Sequence, residues 1–106
     1  MKVRFGLLVA VAACASLCGG QAAASEAISK KAGCAVCHTT DKKIVGPTYK
    51  EIAAKYKKDP NAPAKLAQSV RKGSKGVFGQ VPMTPTPPDK MSDAELKAMI
   101  DWILKM

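Results

Sequence analysis

Apolar side chains recur at helical spacing most clearly near the end of the chain, where Leu96, Met99, Ile100, Ile103 and Leu104 fall on one face. Ser92-x-x-Glu95 ahead of them is a capping box, and Met91 and Leu96 stand where a hydrophobic staple packs. A second capping box, Thr48-x-x-Glu51, follows Pro47. The helix it starts carries Ile52, Ala53 and Tyr56 as its apolar stripe to about Lys58, and Asp59-Pro60 ends it. Pro63 suits the first turn of a third helix running to about Lys72, with Leu66, Ala67 and Val70 facing inward. Before these, Ser25 to Gly33 predicts a short helix with Ser25 as N-cap and Ala27, Ile28 and Ala32 on one face. The intervening stretches are polar (Thr39 to Gly46), glycine-rich (Gly73 to Gly79) and proline-rich (Val81 to Asp89). Pro82, Pro85, Pro87 and Pro88 forbid a regular helix or a central strand in the last of them. No stretch alternates convincingly in β-branched residues. The pattern predicts an all-α fold of about four short helices joined by long loops.

The first two dozen residues have a different character. Lys2 and Arg4 form a basic start, Phe5 to Leu17 an apolar run, and Ala22-Ala23-Ala24 an A-x-A cleavage site. Residues 1–24 therefore predict a signal peptide, with 25–106 as one mature domain. The apolar run falls short of the ~20 residues a spanning helix needs, so no stable membrane insertion is expected. Lipidation at Cys14 is the alternative to cleavage after Ala24. Export places the protein in the periplasm, and cleavage removes Cys14 and Cys18.

Cleavage leaves Cys34 and Cys37 as the mature cysteines, too close together for the disulfide framework that small secreted domains use. They belong to Cys34-Ala35-Val36-Cys37-His38, and Cys-x-x-Cys-His is the attachment signature of c-type haem. Thiols about one helical turn apart can each add across a vinyl group of one porphyrin. The adjacent His38 imidazole then meets one axial face of the iron. A covalently held porphyrin would also serve as the core that about 80 residues in short helices cannot build alone.

A six-coordinate iron needs a second ligand, and the chain holds one His. Methionine is the good remaining candidate. Met91 is explained as a staple, Met99 as helix core and Met106 as the terminus. Met83, between Pro82 and Pro85, has no such role beyond plugging a gap under a loop. With both axial positions filled by protein, the iron offers no site for substrate, which argues for an electron carrier and against an enzyme. Two rivals compete. A thiol–disulfide oxidoreductase using Cys34 and Cys37 lacks the βαβ pattern around its motif. A closed zinc site is one ligand short, while a copper carrier using Cys, His and Met is chemically possible.

The segments Gly33 to His38, Val45-Gly46-Pro47, Gly73 to Gly79, Val81-Pro82-Met83 and Asp101-Trp102-Ile103 together resemble the small bacterial class I c-type cytochromes, of the cytochrome c-551 (c8) type. The resemblance spans essentially the whole mature chain. It implies a monohaem class I cytochrome c fold, about four helices around the haem with the first and last crossing. It also implies that the Pro47 carbonyl accepts the Nδ1 proton of His38. Three departures stand out. Phe78 occupies a position where the family often has a Trp that bonds a haem propionate. Met83-Thr84-Pro85-Thr86 replaces the common Met-Pro-Pro-Asn, and three extra residues precede Ser92.

The formal charge of +9 falls by two when Lys2 and Arg4 leave. A strongly basic exported protein meets an acidic protein partner rather than nucleic acid. Lysines 30, 31, 42, 43, 72 and 75 flank the haem motif and the Met83 loop and predict a docking rim. By resemblance, the redox donor and acceptor are drawn from quinol-oxidising complexes, nitrite reductases, peroxidases and terminal oxidases. Monomer is the default expectation.

Overall fold

The computed structural model describes residues 18–106, with side chains from Ala24 onward. The apolar run at Phe5 to Leu17 and the lipidation candidate Cys14 lie outside the described residues. Four α-helices are described: α1 (Cys18–Lys31), α2 (Tyr49–Tyr56), α3 (Ala62–Lys72) and α4 (Asp93–Leu104). A 3₁₀ turn at Cys34–Val36 lies between α1 and α2. Among the described residues the only β pairing is an isolated bridge between Ser74 and Met83.

Both capping boxes form. Thr48 Oγ1 accepts the Glu51 N–H at 3.0 Å while the Glu51 carboxylate accepts the Thr48 N–H at 2.8 Å. Ser92 and Glu95 repeat the exchange at 3.2 and 3.1 Å. Each box satisfies two otherwise orphaned helix-start donors, which explains why α2 and α4 begin where the sequence predicts. The α3 helix carries Pro63 in its first turn and buries Ala62, Leu66 and Val70. It stops at Gly73, whose φ of +83° belongs to the region glycine tolerates.

The first helix departs from expectation. It begins at Cys18 rather than Ser25, because Gln21-Ala22-Ala23-Ala24 are good helix formers and carry the helix through. Ser25 is therefore not an N-cap. It is buried, and its hydroxyl donates to the Ala98 carbonyl of α4 at 3.4 Å. The inward positions are Ser25, Ile28, Ser29 and Ala32, while Ala27 faces solvent. Gly33, at φ +84°, turns the chain out of α1 and into the 3₁₀ turn.

Helix α4 is the hub, packed against α1, α2 and α3. Its Leu96, Met99, Ile100 and Ile103 join Tyr49, Ile52, Leu66, Val70 and Met91 in one apolar cluster. Met91 is fully buried, as a staple residue should be. No described helix is long and apolar enough to cross a membrane.

Candidate haem site

The 3₁₀ turn places the first sequence motif. Cys37 and His38 both donate backbone N–H groups to the Cys34 carbonyl, at 3.1 and 2.9 Å. This folds Cys34, Cys37 and His38 into one tight loop. Both cysteines are free, Cys34 buried and Cys37 half-buried. Burial, above all, pushes the Cys34 thiol above its ordinary pKa. An oxidoreductase nucleophile needs the opposite shift.

The His38 ring is held on several sides. Nδ1 lies 2.7 Å from the Pro47 carbonyl oxygen. A carbonyl only accepts, so Nδ1 carries the proton and Nε2 keeps its lone pair free to bind a metal. Gly46 brings backbone against the ring, its N–H bonded to the Cys37 carbonyl at 2.7 Å. A Cβ on Gly46 would stand 2.7 Å from His38 Cε1. The Tyr49 ring stacks on the imidazole, with centroids 5.7 Å apart and planes 24° apart.

Met83 approaches from the far end of the chain. Its backbone pairs with Ser74, N–H to carbonyl in both directions, at 2.7 and 3.1 Å. Gly73 makes room for this pairing, since a Cβ there would lie 2.6 Å from the Met83 carbonyl oxygen. The loop is anchored again where Thr86 N–H meets the Val70 carbonyl at 2.7 Å. Arg71 then reaches across it. Its guanidinium donates to the Thr86 and Met91 carbonyls at 3.3 and 2.7 Å, and to Asp93 at 2.7 Å.

Cys34, Cys37, His38, Pro47 and Met83 all line one cavity of about 450 Å³, well within the ~300–1,000 Å³ of typical cofactor sites. Ile52, Leu66, Val70, Met99 and Ile103 supply apolar walls, and Val45, Val77 and Phe78 are half-exposed apolar residues along it. Two thiols, one imidazole with a free nitrogen and one thioether around an apolar space form the donor set a covalently attached porphyrin needs. The residues fit the group. Phe78 has Lys55 Nζ 5.4 Å from its ring centroid.

The family model described as cytochrome c matches residues 22–106. The chain belongs to the cytochrome c family. It is a small class I c-type cytochrome with one covalently attached haem c, and a haem-containing electron carrier by family. Over 78 residues it is 62% identical to the cytochrome c2 of Rubrivivax gelatinosus, covering 74% of this chain and 92% of that one. It is 43% identical to the cytochrome c-551 of Pseudomonas aeruginosa over 86 residues, 81% of this chain and 80% of the relative. The crystal structure of Nitrosomonas europaea cytochrome c552 superposes with a TM-score of 0.68 at 45% identity, covering 76% of this chain and 96% of that one.

Sequence reasoning missed the supports of this site. Tyr49, Gly46, Ser29 and Arg71 act by contact rather than by motif. Only Gly46 left a trace, as the middle residue of the Val45-Gly46-Pro47 segment that carries part of the family resemblance.

Proposed function

We propose that this cytochrome is a periplasmic one-electron carrier whose Cys34 and Cys37 hold the haem and whose His38 and Met83 are the axial iron ligands. The observation that carries this is the convergence of all four side chains on one apolar cavity, with His38 Nδ1 committed to Pro47. When bound, the haem supplies a reversible one-electron couple. The chain's own residues keep that couple from becoming a catalyst. Pro47 fixes the imidazole tautomer, and the Ser74 bridge with the Val70–Thr86 bond fastens the loop that carries Met83 at the cavity, so His38 and Met83 would together hold the iron and leave it no place for a substrate. The apolar walls would exclude water from the bound group and favour the less charged state of its iron, and the Met83 thioether would favour the same state.

Residues 1–24 act in this reading as the leader that exports the chain, with cleavage after Ala24. The mature domain works as a monomer. It takes electrons from one redox protein and passes them to another, among them quinol-oxidising complexes, nitrite reductases, peroxidases and terminal oxidases. A lysine-rich rim beside the cavity meets them.

The test is a visible spectrum of the exported protein, oxidised and then reduced with dithionite, from a host that attaches haem. Sharp reduced c-type bands and a weak far-red band in the oxidised form are expected, and Met83→Ala abolishes the far-red band alone. A far-red band that survives Met83→Ala overturns the ligand assignment. A colourless protein overturns the whole reading.

A further inference from the structure

Helix α1 buries serines where so small a fold would be expected to bury apolar side chains. Ser25 and Ser29 are each 2% exposed. The Ser29 hydroxyl shares a hydrogen bond with the Tyr49 hydroxyl, 2.5 Å away. A buried hydroxyl pair adds little net stability over two well-packed apolar groups, and leaves a penalty if either partner is lost. Its presence in the core calls for a reason other than stability.

Tyr49 supplies one. Its ring is held by the Ser29 bond at the hydroxyl end and by Trp102 edge-on at 5.3 Å between centroids, while its backbone N–H is anchored on the Thr39 carbonyl at 2.8 Å. The ring so held lies against the His38 imidazole. The Pro47 carbonyl does not fix the plane of that imidazole by itself, because a carbonyl oxygen accepts over a broad range of directions. A stacked ring with a pinned far end removes the remaining rotation.

We propose that Ser29 and Tyr49 are positioning residues for the His38 imidazole: their shared hydrogen bond sets the tilt of the Tyr49 ring, and the Tyr49 ring sets the plane of the axial ligand. The proposal rests on the assignment of His38 to the iron. The plane of an axial imidazole decides which iron d orbital it overlaps. It is therefore read directly in the g values of the ferric protein and in the hyperfine shifts of the His38 ring protons.

The test compares four haem-loaded proteins: wild type, Ser29→Ala, Tyr49→Phe and the double variant. Urea unfolding midpoints, ferric EPR spectra and proton NMR are measured on each. Both single variants break the shared hydrogen bond and lower the midpoint. Ser29→Ala lowers it more, since a serine left alone can bond the carbonyl four residues back whereas a stranded phenol cannot. The double variant strands nothing, and its midpoint recovers. The g values and His38 shifts move in both singles and stay moved in the double. If they return to wild-type values in the double along with stability, or never move, the pair is merely structural and the proposal is overturned. Wild-type His38 protons without hyperfine shifts overturn the ligand assignment, and the proposal with it, a failure visible before any variant is made. Ser29→Ala leaves the stacked ring intact, so a Tyr49→Phe protein that fails to load haem does not remove the test.

Discussion

Gly46 is required for space, since its φ is not in the left-handed region. A Cβ there would meet His38 Cε1 at 2.7 Å, Nδ1 at 3.0 Å and the Cys37 carbonyl at 3.2 Å. None of the three is the loose end of a flexible chain. Either the imidazole leaves the Pro47 carbonyl or the Gly46–Cys37 bond stretches. Gly46→Ala should therefore cost about 1–3 kcal/mol of unfolding free energy, the range for overpacking a tight site, and weaken the far-red band. Urea unfolding and the oxidised spectrum check this, and wild-type values in both would show that the 39–47 loop yields freely. The contrast with the motif is instructive. Cys34, Cys37 and His38 could be picked out because covalent attachment demands those residue types at that spacing, and Met83, picked out because the other methionines had duller employment, lines the same cavity. Gly46 and Tyr49 act by shape at contact distance, and a glycine or a tyrosine carries no mark of what it touches. The role of Pro47 came only through family likeness.

Among the elements, α2 and α4 were legible to within a residue or two because side-chain caps write a helix start into the sequence. The start of α1 was not, since a run of alanines lets a helix pass through a serine that looks like a cap. The loop between α3 and α4 was legible only as rigid; what fastens it is Arg71, an unremarkable basic residue in the last turn of α3. Its side chain is 18% exposed, while that of its partner Asp93 is 93% exposed. The exposed ion pair is worth ~0–1 kcal/mol. The charge-assisted bonds to the Thr86 and Met91 carbonyls are worth more, about 1.5–3 kcal/mol, because they close the loop that carries Met83. Arg71→Met should thus destabilise by roughly 2 kcal/mol or more and bring the loss of the far-red band on heating well below its wild-type temperature. Asp93→Asn should change either by little. Equal effects would mean that the ion pair, not the carbonyl clamp, holds the loop.

At the scale of the whole molecule, the proposed docking of an acidic partner turns on which positive charges are free to meet it. Composition foretold a basic surface, but not which lysines are free to act. Lys30 is paired with Glu26 at 3.2 Å and Lys31 with Glu95 at 3.0 Å. The Lys31 hydrogen bond is the first reason that the Glu95 carboxyl is held below its usual pKa, with the Ser92 N–H second. Lys42, Lys43, Lys72 and Lys75 form no ion pair among the described residues. Lys43 and Lys75 also line the cavity itself, beside half-exposed Val45, Val77 and Phe78. An unpaired charge beside the cofactor adds its full field to an approaching acidic protein, whereas a paired one largely cancels. Neutralising Lys43 and Lys75 to Gln together should slow bimolecular electron transfer with an acidic redox partner severalfold at low salt, because steering acts mainly on the association rate. Lys30→Gln should do much less. The gap should close as salt is raised to 1 M, where the screening length falls to ~3 Å. Stopped-flow rates across an ionic-strength series measure all three, and a Lys30 effect as large as that of the Lys43 and Lys75 pair would move the docking surface from the cavity mouth to α1.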